Sequence, residues 1–142
     1  MTNNKISDSI PHDALYKDLF EELFPEALAY LTPQLYLLLD TDTEIKFLSQ
    51  EIIRNHKKKY VDLLADTKLA NERVLIHMEF QSSRVRHYNE KVLDYYWELY
   101  KKYRCMIVSI VVYSHDAKLI EPTCFKLERD YLKALYFNFY RF

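Results

Sequence analysis

The chain has 142 residues and contains no glycine, although soluble proteins use about 7%. Glycine-rich loops that cradle phosphates therefore cannot form, and both the P-loop and the Rossmann fingerprint are excluded. Turns that need a positive φ must use Asn or Asp, and Asn71 is a candidate for one. The common nucleotide-binding classes are thereby ruled out.

Cysteine is also scarce, with only Cys105 and Cys124 in the chain. No zinc spacing exists, and a disulfide framework is not expected. Cys105 opens an apolar run and is predicted to lie in the core. No apolar stretch approaches the roughly 18 residues of a membrane span, and Met1–Ile10 lacks the apolar centre of a signal peptide. The expected location is the cytoplasm.

The charges nearly balance, with 20 Lys and Arg against 21 Asp and Glu, and a pI near 6.5. Proteins that bind nucleic acid without specificity are often strongly basic, so any DNA contact here must be local. With 49% hydrophobic and 29% charged residues, the composition is that of a soluble globular protein. We expect one domain over residues 1–142, with a flexible tail at 1–10.

Two acidic residues lie in stretches that otherwise have the pattern of buried strands. Asp62 follows Val61 and precedes two leucines, and Glu79 lies in an apolar stretch that ends at Gln81. Side chains alternate between the faces of a strand, so Glu79 and Gln81 share one face and Phe80 points to the other. The polar connector Thr67–Glu72 is short enough for a hairpin. If these strands pair, Asp62 lies beside Glu79.

Two neighbouring carboxylates repel each other, and a hard divalent cation cancels that repulsion. Mg²⁺ takes oxygen ligands and often binds through one or two carboxylates plus a substrate phosphate. Asp62, Glu79 and the backbone carbonyl of Phe80 would supply such a partial shell, which would activate a water for phosphodiester hydrolysis. Solvated strand carboxylates at the same spacing are the alternative.

The order of elements predicts a mixed α/β core. Helical spacing runs to about Phe24, and Pro25 and Thr32-Pro33 suggest further helix starts. Further along, we predict strands over Glu44–Ile53 (with helix over Ser49–Asn55 as an alternative), Tyr60–Leu69, Arg73–Gln81 and Cys105–Tyr113, an edge strand over Leu135–Phe142, and a helix over Arg86–Arg104 whose apolar stripe is Tyr88, Val92, Tyr95, Leu99 and Tyr103.

Basic residues flank the acidic pair on both sides along the chain. A basic turn is predicted before Asp62, formed by Lys57, Lys58 and Lys59. These lysines either contact the phosphates of the DNA backbone or belong to a solvated hairpin turn. Arg84 and Arg86 follow Gln81 and are candidates for holding a phosphate, with a solvated helix start as the alternative. His77 shares the Glu79 face, either as a partner of the site or as a satisfied sheet histidine. Glu44 or Glu51 would be a further carboxylate, and the sequence does not choose between them.

The stretches around Asp62 and Glu79, with the helices predicted before and after them, resemble the recombination-promoting nuclease/putative transposase family of the PD-(D/E)xK (restriction-endonuclease-like) superfamily. The most specific piece is the apolar strand ending in Glu79-Phe80-Gln81-Ser82, followed by an aromatic-rich helix. The resemblance covers about residues 11–142 and implies an α-β-β-β-α-β core with a central mixed sheet flanked by helices. It implies that Asp62 and Glu79 are the motif acids. Gln81 takes the place of the superfamily lysine, which leaves the cationic role to Arg84, Arg86 or Lys91.

Together with this resemblance, the sequence predicts a Mg²⁺- or Mn²⁺-dependent DNA endonuclease, and the resemblance implies a link to recombination or transposition. In this interpretation Asp62, Glu79 and Gln81 are catalytic, and Gln81 orients the attacking water. A homodimer would fit the cutting of both DNA strands. The alternative is a catalytically inactive remnant of the nuclease fold that binds DNA or protein, and the fold alone does not decide between the two.

Overall fold

A computed structural model describes residues 18–40, 42–54, 57–81, 85–113 and 124–142. In chain order its elements are α1 (described over 18–22), α2 (Phe24–Leu31), α3 (Pro33–Tyr36), β1 (Lys46–Phe47), β2 (Glu51–Arg54), β3 (Lys57–Tyr60), β4 (Leu63–Leu69), β5 (Glu72–Gln81), α4 (Tyr88–Tyr103), β6 (Met106–Tyr113), β7 (Cys124–Arg129), β8 (Leu132–Asn138) and β9 (Tyr140–Arg141).

The helix starts agree with the sequence. A turn at Leu23 separates α1 from α2, and Pro25 lies in the first turn of α2, where its missing N–H costs nothing. Pro33 likewise opens the short helix α3. The proline positions therefore predicted how this helical region is divided.

Five of the described strands form one mixed sheet in the order β1-β4-β5-β6-β9. Strand β4 runs antiparallel to both β1 and β5, whereas β5-β6 and β6-β9 are parallel pairs. The parallel pair β5-β6 requires a crossover, and α4 supplies it. The fold is mixed α/β, as predicted, and β6 lies inside the sheet with Ile110 and Val111 buried.

The β4-β5 connection is a two-residue turn with positive φ at both Ala70 (50°) and Asn71 (64°). This is the backbone sign of a type I′ hairpin, whose twist matches that of the flanking strands. The prediction for Asn71 is confirmed. The prediction that only Asn or Asp would take positive φ is wrong, because Ala70, His87 and Arg104 do so as well. A chain without glycine accepts this cost of about 1–2 kcal/mol per residue at necessary turns.

Two strand predictions need correction. The stretch Glu44–Ile53 is not one strand: β1 joins the main sheet, whereas β2 pairs with β3 in a separate hairpin. The stretch Tyr60–Leu69 is also divided, because β3 ends at Tyr60 and β4 begins at Leu63.

The C-terminal region differs in a similar way from its prediction. Strand β8 pairs with β7 in a hairpin, and only β9 forms the edge of the main sheet, beside β6. The helix predicted from Arg86 begins at Tyr88, because His87 adopts a left-handed conformation just before it.

Both faces of the main sheet are covered by helices. The face that carries Val74, Ile76, Met78 and Phe80 packs on α2 and α3, as predicted from the alternation in β5. The opposite face packs on the predicted apolar stripe of α4, whose Tyr88, Val92, Tyr95 and Leu99 are buried, with Tyr103 partly buried. Because side chains alternate along β5, Glu79 lies on the face covered by α4.

Within the described ranges, no helix has the length and apolar character needed to cross a membrane.

Candidate active site

Asp62 lies in the two-residue break between β3 and β4, immediately before the first ladder pair of β4 with β5. Its side chain turns towards β5, where its Oδ2 accepts a 2.7 Å hydrogen bond from the backbone N–H of Phe80. The sequence predicted this neighbourhood from the strand pairing. The predicted pairing is confirmed, with Leu63 opposite Met78.

Two hydrogen bonds of Gln50 stabilise the break between β3 and β4, and the sequence did not indicate this role. Its backbone carbonyl accepts a 2.9 Å hydrogen bond from Val61 N–H, and its side-chain amide donates a 2.9 Å bond to the carbonyl of Asp62. These bonds divert the backbone groups of Val61 and Asp62 from a continuous strand, which explains why the single strand predicted here is interrupted. Gln50 and Asp62 are 12 positions apart, with the β2-β3 hairpin between them, so no local sequence pattern predicts their contact.

Glu79 is buried, with 3% of its surface exposed. Its carboxyl group shares a hydrogen bond with the carboxyl group of Asp62 and accepts another from the Asp62 backbone N–H. Burial, reinforced by the charge of Glu79, raises the pKa of Asp62 to about 7. Burial also raises the pKa of Glu79, and the contacts with Asp62 and the nearby Lys91 partly oppose that rise. The two groups form one coupled acidic pair that holds a proton more tightly than ordinary carboxylates do.

Among the described residues, Lys91 is a cation that acts on this pair. Its ammonium group lowers the pKa of both Asp62 and Glu79 through its charge. The ammonium group lies 5.3 Å from the ring centre of Tyr88 and 5.4 Å from that of Tyr95, so two aromatic faces hold it. These three residues are spaced three and four apart along α4 and therefore share one side of the helix.

The sequence named Lys91 as one of three candidates for the cationic role. The structure favours it over Arg86, which is exposed and bonds to the neighbouring His87. Arg84 lies outside the described residues. Tyr88 and Tyr95 were predicted only as core residues, although their spacing around Lys91 was a usable signal.

His77 completes the buried polar group. Its Nε2 lies 2.8 Å from Oε1 of Glu79, and its Nδ1 lies 3.3 Å from the hydroxyl of Ser109 on β6. Burial lowers the pKa of His77 to about 4, so the ring is neutral at neutral pH and the contact with Glu79 is a hydrogen bond. His77 therefore contacts Glu79 and has a partner at each ring nitrogen, which fits both interpretations that the sequence left open: a partner of the site and a satisfied sheet histidine. Ser109 was not predicted.

The described residues fit a partial shell for a hard divalent cation. Asp62 and Glu79 bring two carboxyl groups together in a poorly solvated place, where a cation would relieve their repulsion. Within one strand residue, N–H and C=O point towards the same neighbouring strand, so the Phe80 carbonyl lies on the Asp62 side like its N–H. In the described ranges, no group of three or more His, Cys, Asp or Glu is arranged to hold a metal. The chain would thus supply two carboxylates and a carbonyl, and leave the other positions to water and substrate.

The other predicted site residues are placed less closely. Gln81 is buried at the end of β5, on the same face as Glu79 by alternation and beside Tyr113 of β6. Lys57 and Lys58 are exposed, but they belong to strand β3, so the predicted basic turn is wrong. The backbone of Lys59 belongs to the same strand.

Neither candidate for a third carboxylate joins the acidic pair. Glu51 faces Lys58 at 3.6 Å on the outer hairpin. Glu44 lines a surface cavity with Asp66 and Arg73, along β4 and away from Asp62.

Comparison of the chain with models of protein families, with curated proteins and with solved structures finds no match.

Proposed function

We propose that this protein is a divalent-metal-dependent DNA endonuclease that hydrolyses phosphodiester bonds at the Asp62–Glu79 pair, in the context of DNA recombination or transposition. The observation that carries the proposal is the pair itself: the buried carboxyl group of Glu79 and the half-buried carboxyl group of Asp62 share a hydrogen bond beside a cation. Burying an acidic pair destabilises a fold unless a partner compensates for it. Such an arrangement is typical of functional sites.

In this proposal Asp62, Glu79 and the Phe80 carbonyl hold Mg²⁺ or Mn²⁺. The cation, when bound, would supply Lewis-acid activation of the phosphate and of a water molecule. The side-chain amide of Gln81 would orient the attacking water, since an amide both donates and accepts hydrogen bonds. An amide carries no charge, so it does not replace the lysine of the superfamily motif electrostatically.

Lys91 would provide that charge. Its ammonium group already acts on both carboxyl groups from α4, and two tyrosine rings fix its position. A fixed cation stabilises charge that develops on a phosphate in the transition state. The exposed Lys57, Lys58 and Arg86 would then hold the DNA backbone, in line with the local contact that a near-neutral chain requires.

The fold supports this function without deciding it. The chain follows the order α-β-β-β-α-β over α2–α3, β1, β4, β5, α4 and β6, with the β2-β3 hairpin inserted after β1. The resemblance implies this order for a restriction-endonuclease-like core, and Asp62 lies just before the second of these strands while Glu79 lies on the third. A homodimer that cuts both DNA strands remains part of the proposal.

Two observations favour the alternative, an inactive remnant that binds DNA or protein. The described residues offer two carboxylates rather than three, and glutamine stands where the motif has lysine. Such a module would bind DNA without cutting it.

Incubation of supercoiled plasmid with the protein in Mg²⁺ or Mn²⁺ tests the proposal. Nicking that stops on addition of EDTA and returns with excess metal is the expected result. DNA retardation in a gel with no nicking, from a folded protein, would support the binding module instead.

A further inference from the structure

A hydrogen-bonded chain of three side chains runs from β6 into the acidic pair. The hydroxyl of Ser109 contacts Nδ1 of His77 at 3.3 Å, and Nε2 of His77 contacts Oε1 of Glu79 at 2.8 Å. All three residues are buried: His77 is 0% exposed, Ser109 3% and Glu79 3%. The register explains the contact, because His77 and Ser109 are direct partners in the parallel pair β5-β6.

The contacts define which ring nitrogen of His77 carries the proton. Glu79 accepts a hydrogen bond from the backbone N–H of Asp62, and as a ligand of a cation its carboxylate would have no proton to donate. In that state Nε2 of His77 must donate to Oε1. A neutral imidazole has one donor and one acceptor, so Nδ1 accepts from the Ser109 hydroxyl. Ser109 thereby fixes the tautomer that Glu79 needs.

We propose that His77 is a positioning residue, which aims the Glu79 carboxylate at a divalent cation through a tautomer that Ser109 fixes. The inference rests on the proposed function and deepens it. Oε1 is occupied by the imidazole N–H, and this contact sets the rotation of the carboxylate. Hydrogen bonds of this kind orient ligands and are worth about 10–100-fold in metal affinity.

Packing alone would give a different outcome from positioning. The His77 ring also contacts the Tyr95 ring edge-on, with 6.1 Å between the ring centres. Removal of the His77 ring therefore alters the core as well as the hydrogen bond. His77→Phe keeps an aromatic ring and removes the donor. His77→Gln loses the ring and keeps an N–H donor near the position of Nε2. If His77 only packs in the core, His77→Phe should retain more Mn²⁺ affinity than His77→Gln. If His77 positions Glu79, His77→Gln should retain more.

The first measurement is calorimetric titration with Mn²⁺ of the wild type, His77→Phe, His77→Gln and Thr67→Val. Thr67 is the matched control, since it is a buried polar residue on β4 whose hydroxyl has no partner in the described part of the chain. We expect His77→Phe to bind Mn²⁺ about 10–100-fold more weakly, His77→Gln to recover most of the affinity, and Thr67→Val to match the wild type.

The second measurement is ¹⁵N NMR of the imidazole in the metal-free wild type, with His77→Gln used to assign the signal. We expect a neutral ring protonated at Nε2, and a mixture of tautomers in Ser109→Ala. A ring protonated at Nδ1 would overturn the inference even if His77→Phe failed to fold. Equal Mn²⁺ affinity of folded His77→Phe and wild type would overturn it while leaving the proposed function intact. A wild type that binds no Mn²⁺ would remove both.

Discussion

The backbone N–H of Phe80 donates a 2.7 Å hydrogen bond to the carboxylate of Asp62, so the strand that carries Glu79 also holds the second acidic residue in place. The two acids are 17 positions apart in the chain, yet the antiparallel pairing of β4 with β5 brings them together. A backbone contact of this kind depends on the fold and not on a flexible side chain. The acidic pair is therefore organised in advance of any ligand.

Replacement of Lys91 should separate charge from packing at this site. Lys91→Ala should slow metal-dependent DNA cleavage by about 10²-fold, because a fixed cation stabilises transition-state charge. It should also move the pH profile of cleavage to higher pH, since Lys91 lowers the pKa of Asp62 and Glu79. Lys91→Arg should retain much of the rate. Lys101→Ala, on the exposed side of α4, is the control, and a wild-type rate and profile for Lys91→Ala would contradict this role.

The acidic pair should cost stability at alkaline pH. The pKa of Asp62 in the folded protein is about 7, above its ordinary value of 3.8. The folded state therefore binds more protons than the unfolded state between these values, and stability falls as the pH rises through this window. We expect Asp62→Asn to raise the free energy of unfolding by on the order of 1 kcal/mol at pH 8 and hardly at all at pH 4.

Denaturant unfolding of metal-free protein at both pH values measures this difference. Asp66→Asn, on β4, is the control, because Asp66 pairs with Arg73 at 2.9 Å and gains nothing from neutralisation. An Asp62→Asn variant that is less stable than the wild type at pH 8 would mean that the pair is compensated within the protein.

Exposed lysines of the β2-β3 hairpin should contribute to DNA affinity without affecting the chemistry. The double variant Lys57→Ala/Lys58→Ala should weaken binding and reduce the slope of log affinity against log salt by roughly 2, about 0.9 for each lost phosphate contact. Fluorescence anisotropy at several salt concentrations, with catalysis suppressed by EDTA, checks this. Lys68→Ala/Lys133→Ala, at exposed positions on other strands, should leave the slope unchanged. Equal slopes for both double variants would place the DNA elsewhere.

The β4-β5 turn offers a prediction that is independent of function. Ala70 adopts φ of 50° in a tight hairpin, where a Cβ atom is unfavourable. Ala70→Gly should raise the free energy of unfolding by about 0.5–1 kcal/mol, less than the full left-handed cost because glycine also loses more entropy on folding. Thermal or urea unfolding measures the change. Lower stability would show that the turn has another conformation in solution.

The sequence predicted the centre of this fold well because period-two alternation and proline positions are local signals. Three features follow from such patterns: the pairing of β4, which begins just after Asp62, with β5, which carries Glu79; the side of β5 that packs on the N-terminal helices; and the apolar stripe of α4. The break at Asp62 could not be predicted in this way, because it depends on a hydrogen bond from Gln50 across the β2-β3 hairpin.

The choice among the three possible cations needed tertiary information for the same reason. Whether Lys91 faces the acids depends on how α4 is rotated against the sheet, and that rotation is set by packing. The contact of Ser109 with His77 could not be predicted either, because it follows from the register of a parallel pair of strands joined by a crossover helix.

The most direct test of the central claim compares nicking of supercoiled plasmid by the wild type, Asp62→Ala, Glu79→Ala and Asp66→Ala, in Mg²⁺ and in Mn²⁺. Circular dichroism would confirm that each variant is folded. The account predicts cleavage by the wild type and by Asp66→Ala, and its loss in both Asp62→Ala and Glu79→Ala. Cleavage that survives in the last two variants, or a folded, metal-supplied wild type that does not cut, would contradict the account.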